Sequence, residues 1–313
     1  MKLMKKVPGG QIIIPMVLAM CLNTFFPSFL GIGGSATALL KNGSSTLMGL
    51  FLIICGSSIN IKEAGLPLYK GSLLLVMKLI LGGAVGWAVG SLFGVAGVLG
   101  ITPFVLFCAM PSNNSSLYVA LCGEYGDSSD MGAVSVLALK NGPFGSMLVM
   151  GLSGAANIPI TDIIGTVIPI LIGVIWGNLD PDFRSLCSKA QPLIVIFQSF
   201  AIGASSSLTT LVTAGISGIL LGFISILLGI IIQFLYNLLL KKKSPLGVAM
   251  GTVAANSALT PSVIAAADPS LAPYVPVAAA QCATASIVTM LIAPFLVAFF
   301  DKRIKTAAAV KAA

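Results

Sequence analysis

Ala109-Met110-Pro111-Ser112-Asn113-Asn114-Ser115-Ser116 interrupts a stretch otherwise composed for lipid. A second interruption reads Gly251-Thr252-Val253-Ala254-Ala255-Asn256-Ser257-Ala258-Leu259-Thr260-Pro261. Asn114-Ser115 follows Pro103 by eleven residues, and Asn256-Ser257 follows Pro245 by the same interval. Leu117 and Leu259 then occupy matching places. Polar groups at membrane depth are costly unless they pair or face water or a ligand. Matched interruptions in two halves of an apolar chain are the mark of a secondary transporter. Proline removes a donor and disfavours helix before it, while Asn and Ser offer the backbone competing bonds. The helix is therefore expected to unwind at both places. Each half-helix end carries about half an elementary charge. The N–H end suits a carboxylate and the carbonyl end suits a cation. Ser112, Asn113, Asn114, Ser115, Thr252, Asn256, Ser257 and Thr260 are the candidate substrate-binding residues. Helix packing is the competing reading, since Ser, Thr and Asn also join neighbouring membrane helices. It accounts for a single serine better than for two breaks in matched places.

Composition supports a membrane protein. The 313 residues are 57% hydrophobic and only 8% charged, against about one quarter charged in a globular chain. The 34 glycines and 17 prolines lie within apolar runs, which argues against a disordered Gly/Pro-rich chain. No clean cleavage site follows the basic start, so the first apolar run reads as a spanning helix. The net charge of +8 comes from residues scattered over helix ends, which argues against nucleic-acid binding. There is no histidine, and the six cysteines stand singly. A zinc site or disulfide framework is not expected; free buried thiols are.

Ten spans of about 20 apolar residues are expected, at roughly 10–26, 45–60, 72–97, 101–121, 129–151, 160–178, 192–212, 214–240, 245–266 and 274–299. Lys140-Asn141-Gly142-Pro143 must break or kink the fifth. With a cytoplasmic N-terminus, fourteen Lys and Arg, Lys70 among them, fall in cytoplasmic loops and tails, and only Lys41 faces outward. Both termini are therefore expected in the cytoplasm.

The two halves align. Pro15 meets Pro169, Pro27 meets Pro181 and Phe29 meets Phe183; Gly56-Ser57-Ser58 falls near Gly203-Ala204-Ser205; Pro103, Asn114, Ser115 and Leu117 meet Pro245, Asn256, Ser257 and Leu259. The offset drifts from 154 through 147 to 142, as short loop deletions would produce. Five spans per half is an odd number, so the second half crosses the bilayer in the opposite sense. The expected architecture is all-α: ten transmembrane helices in two inverted five-helix repeats, 1–156 and 157–313, with helices four and nine broken and crossing.

Charged residues within spans are few. Lys140 either snorkels or faces the polar cavity, where it would pair with a substrate carboxylate. Lys78 lies nearer a cytoplasmic end, and snorkelling is expected. Glu124 and Asp127 are the proton-coupling candidates, since partial burial raises a carboxyl toward neutral. Asp130, Asp162 and Asp268 read as loop or cap acids.

The start Val7-Pro8-Gly9-Gly10-Gln11-Ile12-Ile13-Ile14-Pro15, the segment Trp176-Gly177-Asn178-Leu179-Asp180-Pro181-Asp182-Phe183-Arg184, the stretch Asn113-Asn114-Ser115-Ser116-Leu117-Tyr118 and Asn141-Gly142-Pro143-Phe144 resemble the 2-keto-3-deoxygluconate permease family. The resemblance covers nearly the whole chain. It implies proton-coupled uptake of a pectin-derived sugar-acid anion across a bacterial inner membrane, by a multi-pass protein. The five-plus-five layout is also similar to the bile acid–sodium symporter fold. That likeness implies a panel of spans one, two, six and seven, and a core of spans three to five and eight to ten. The site would lie beside the crossing of Ser112–Ser116 with Thr252–Thr260. This sequence departs from the family where an acid tends to precede the first Asn motif and the Gly-Pro of span five; Pro111 and Lys140-Asn141 stand there. It departs from the sodium symporters where a glutamate precedes the second Asn motif; Val253, Ala254 and Ala255 stand there. No cofactor is expected, and the protein reads as a monomer or homodimer. A sodium-coupled organic-anion symporter is the first alternative, since neutral oxygens at both breaks suit sodium. An intramembrane enzyme would need a histidine or paired aspartates, which argues for a non-enzyme. A passive channel would not require two matched broken helices.

Overall fold

Apolar runs punctuated by proline and glycine fold into helices, because in lipid each backbone donor and acceptor must be satisfied within the protein. The computed structural model describes residues 10–61, 65–137, 143–156, 160–204, 208–240 and 243–312. In chain order the α-helices are α1 Gly10–Phe25, α2 Pro27–Leu30, α3 Gly34–Leu40, α4 Ser44–Ser57 and α5 Leu66–Phe93. Next come α6 Pro103–Ala109, α7 Ser115–Tyr125, α8 Ser128–Leu137 and α9 Phe144–Leu152. The second half holds α10 Ile160–Leu179, α11 Pro181–Gly203, α12 Leu208–Leu239, α13 Thr260–Ala267 and α14 Val275–Ala312. Short 3-10 helices occupy Pro245–Gly251, Ala255–Leu259 and Pro269–Tyr274. Among the described residues the only extended pairing is a single bridge between Val98 and Ile101.

Among the described residues five stretches are long and apolar enough to cross a membrane: Leu66–Phe93, Pro181–Gly203, Ala214–Leu239, Pro245–Ala267 and Pro269–Ala307. Ile14–Phe25, Thr46–Ser57 and Val167–Leu179 are shorter apolar helices. Large apolar side chains such as Ile216, Leu238, Leu179 and Phe295 face outward, each more than three-quarters exposed. Meanwhile Gln198, Gln233, Ser225 and Thr289 are fully buried. That distribution suits a lipid surround, and the chain is an all-helical, multi-pass membrane protein.

Two groups of helices pack within themselves. In one, α1 lies on α11, and α4 lies on α10 and α11. In the other, α5 lies on α8 and α6, and α12 lies on α14 and on the 3-10 helix Pro245–Gly251. Glycines set these approaches, as close packing between membrane helices requires. A Cβ at Gly56 would collide with the Ile170 carbonyl, and one at Gly203 with the Met16 carbonyl. Gly229 likewise packs on the Gly251 backbone.

Several expectations need correction. The seventh span begins at Pro181, not near 192. Asp180 caps it, accepting from the N–H of Asp182 (2.9 Å) and Phe183 (3.2 Å), and Pro181 takes the first turn, where its missing donor costs nothing. The first half of span nine is 3-10 rather than α. Lys70 is not a loop residue: it lies in α5, 3% exposed. Lys140 lies outside the described residues, between α8 and α9.

Candidate functional site

Each interruption begins with a capped half-helix. Thr102 accepts from the N–H of Val105 ahead of Pro103, and Ser244 accepts from the N–H of Leu246 ahead of Pro245. Both prolines sit in the first turn. The first half-helix stops at Ala109, and helix resumes at Ser115 with Asn114 as its cap, accepting from the N–H of Leu117 at 3.0 Å. The second stops at Gly251; Thr252 and Ala254 are extended, and Asn256-Ser257 falls inside the 3-10 helix that follows. Asn114 and Asn256 are therefore not equivalent in structure: the later helix turn has no side-chain cap.

The interruptions touch. Ser112 Oγ lies 2.5 Å from Ser257 Oγ. The Asn114 N–H donates to Thr252 Oγ1 at 2.9 Å, and the Ala254 N–H donates to Ser112 Oγ at 3.4 Å. Asn113 Nδ2 reaches Met250 Sδ at 3.5 Å. Thr289, from α14, accepts the Val253 N–H at 3.0 Å. Ser112, Asn113, Thr252, Ser257 and Thr260 are buried, while Asn114, Ser115 and Asn256 are half-buried. Backbone groups freed by unwinding are thus met by side chains of the opposite segment, as burial demands. Thr289 carried no signal in sequence, being one hydroxyl in a long apolar helix.

The acidic turn binds a buried lysine. Lys70 Nζ lies 2.7 Å from Asp130 Oδ1 and 3.1 Å from Asp127 Oδ1. Asp127 accepts from the Asp130 N–H, and Asp130 accepts from the Asp127 N–H, a reciprocal cap at the start of α8. The Ser129 hydroxyl above all, with Lys70 beside it, holds the Asp127 carboxyl below the usual carboxylate range, against partial desolvation. The ionised form of Asp127 is thus favoured, paired with Lys70. Glu124 is exposed on α7, outside the buried cluster. Asp130, expected as a loop acid, is 2% exposed. Asp268 does cap a 3-10 turn, accepting from the Ser270 N–H.

Two further polar groups stand out. Lys78 does not snorkel: it is 0% exposed, and its ammonium has no partner among the described residues. Gln198 of α11 is likewise fully buried, with neither amide atom partnered among them; α11 packs on the 3-10 helix Ala255–Leu259. A cavity of about 580 Å³ lies between the second half of α5, the start of α6 and the 3-10 helix Pro269–Tyr274. Gly86, Trp87, Phe107, Thr102, Asp268 and Tyr274 help to line it; none of the interruption residues does. Its volume falls in the usual range for small-molecule sites. Among the described residues no acid or cysteine cluster could hold a metal, and all six cysteines are free.

The family profile for 2-keto-3-deoxygluconate permease matches residues 1–306. 2-Keto-3-deoxygluconate permease 1 of Salmonella typhimurium is 38% identical over 302 residues, covering 96% of this chain and 95% of its own. The permease of Bacillus subtilis is 33% identical over 307 residues, covering 96% and 93%. That of Escherichia coli O157:H7 is 31% identical over 318 residues, covering 98% and 96%. With a full-length match, an apolar exterior and a buried polar crossing, the chain belongs to the 2-keto-3-deoxygluconate permease family of membrane transporters, and it is not an enzyme.

Proposed function

We propose that this protein imports 2-keto-3-deoxygluconate, or a closely related sugar acid, together with a proton, by alternating access across a bacterial inner membrane. The observation that carries the reading is the contact between the two interruptions at Ser112 and Ser257. Unwound backbone inside a membrane protein is tolerated where it is buried in protein or lines a cavity, and in transporters it forms the midplane site. The start of α7 at Ser115 points a positive helix end at the same place, which favours an anion. The names of the relatives supply the cargo.

Reciprocal contacts support the inverted repeat. The sequence offsets pair Met16 with Ile170 and Gly56 with Gly203. Gly56 packs on Ile170 and Gly203 packs on Met16, the same contact made twice with the halves exchanged. Ser112 and Ala254 are equivalent at offset 142 and bond to each other. A contact between equivalent positions lies on a two-fold axis. In this reading α1, α4, α10 and α11 form the panel, and α5 to α9 with α12 to α14 form the moving core. With cytoplasmic termini, the cavity at the far end of α5 faces outward and serves as the entrance.

Uptake of radiolabelled 2-keto-3-deoxygluconate into proteoliposomes decides the coupling. Accumulation that follows an imposed pH gradient and collapses with a protonophore supports proton symport. Accumulation that follows sodium and ignores pH replaces the proton with sodium.

A further inference from the structure

Lys78 sits near the middle of α5, thirteenth of its 28 residues. Helix α5 runs antiparallel to α6, and glycines mark the register: Gly90 meets Pro103, Gly86 meets Phe107, and Gly82 meets the Met110–Pro111 backbone. Steps of four residues keep to one helix face. The next step is Lys78, which falls beside the interruption that follows Met110. The backbone of Lys78 thus lies near the level of Ser112, Asn113 and Asn114, and its amine is buried.

A buried charge persists when it is paired; left alone it is among the costliest features a fold can hold. Lys70, two turns earlier, obeys the rule with two carboxylates. No acid whose side chain is described is left for Lys78. Asp127 and Asp130 bind Lys70, and Asp301 binds Lys305. Asp180 and Asp268 cap helices, and Glu124 and Asp182 are exposed. The groups around the crossing are neutral hydroxyls and amides, so the countercharge is not among them.

We propose that Lys78 is the group that pairs with the carboxylate of the cargo, making the crossing a site for small organic monoanions. This rests on the transport reading above and specifies its chemistry. The positive end of α7 adds to the same field. Gly86 and Phe107 line the 580 Å³ cavity. Gly86, with Phe107 of α6 against it, lies two turns along α5 from Lys78, about 12 Å at 1.5 Å per residue. A carboxylate entering there needs Phe107 and Met110 to yield before it reaches the ammonium.

The test is a thermal-shift titration of purified wild type, Lys78→Met and Lys78→Gln with sodium 2-keto-3-deoxygluconate, its uncharged methyl ester, and a panel of other sugar-acid carboxylates. Wild type is expected to respond to the acid and not to the ester. Both variants are expected to lose the response by at least tenfold in apparent Kd. Unliganded Lys78→Met is expected to melt no lower than wild type, since an unpaired charge has gone. If Lys78→Met fails to fold, Lys78→Gln is read alone. Wild-type affinity in the variants overturns the role of Lys78 and leaves the transport reading standing. A wild type that ignores 2-keto-3-deoxygluconate but binds another carboxylate, with loss in the variants, overturns the cargo and keeps Lys78. A wild type that binds no carboxylate overturns both.

Discussion

Ser112 and Ser257 come from sites 145 residues apart in the chain, and their hydroxyls meet in a buried setting. Two hydroxyls that bond each other leave neither stranded. Removing Ser112 strands the Ser257 hydroxyl, at a cost of about 1–3 kcal/mol, whereas removing Ser257 leaves Ser112 bonded to the Ala109 carbonyl and the Ala254 N–H; removing both costs less than the sum. Ser112→Ala and Ser257→Ala are therefore expected to couple by about 0.5–3 kcal/mol in a double-mutant cycle on thermal stability. Ser112 also accepts from Ala254, so its single variant should be the worse of the two. Lys70 and Asp130 follow the same logic with charge. Lys70→Met leaves a buried carboxylate unpaired and is expected to cost about 3–5 kcal/mol, with Lys70→Met/Asp130→Leu recovering part of it. Asp127 gives the pH dependence. Its carboxyl titrates below the unfolded value of about 3.9, so its stabilisation is full above that pH and is lost as pH falls through the folded value. Ser129→Ala removes the largest cause of the depression and should move the acid-unfolding midpoint upward. An unchanged midpoint would detach Asp127 from acid stability.

Among elements, the two interruptions share a starting plan and differ at the turn. Asn114 caps α7, whereas the turn holding Asn256 has no side-chain cap. Asn114→Ala is expected to destabilise by about 0.5–2 kcal/mol, the usual loss of a cap. Asn256→Ala should cost little stability yet still reduce uptake, if the amide serves cargo. Equal melting of both variants would contradict the asymmetry. The helix pairs α4–α10 and α1–α11 offer a second comparison. Gly56→Ala and Gly203→Ala each push a methyl into a partner carbonyl and should destabilise alike, by about 1–3 kcal/mol each. This is also where the sequence was most legible. Pro103, Pro245 and the two Asn-Ser pairs marked both interruptions, because such residues have few other uses in an apolar run. What escaped was geometry without a local signature. Thr289 and Gln198 look like ordinary polar residues of membrane helices until their burial is known. Lys78 looked free to snorkel because the sequence does not tell which face of α5 is covered. Lys70 looked like a loop residue because its acids arrive 57 and 60 residues later.

At the scale of the whole molecule, the proposed alternating access rests on movement of the two packed groups against each other. Contacts within each group are made by glycine-mediated helix pairs, while the groups meet through fewer elements, chiefly α4 with α13 and α11 with the 3-10 helix Ala255–Leu259. Such an interface suits rigid-body rocking of one bundle against another around a fixed site. Under the proposed rocking mechanism, with cargo held at the crossing by the core, each transport cycle would break and remake the α4–α13 contact. A disulfide between one cysteine on α4 and one on α13, with Cα atoms less than about 7 Å apart, should hold the protein in a single state. The six native cysteines, all free, would first be replaced. Oxidation is then expected to abolish uptake of 2-keto-3-deoxygluconate while leaving its thermal-shift response, and reductant should restore uptake. A matched disulfide inside one group, between α12 and α14, should leave uptake intact. Undiminished transport through the oxidised α4–α13 link would show that the two groups do not move against each other, and the mechanism would then have to reside in the crossing segments alone.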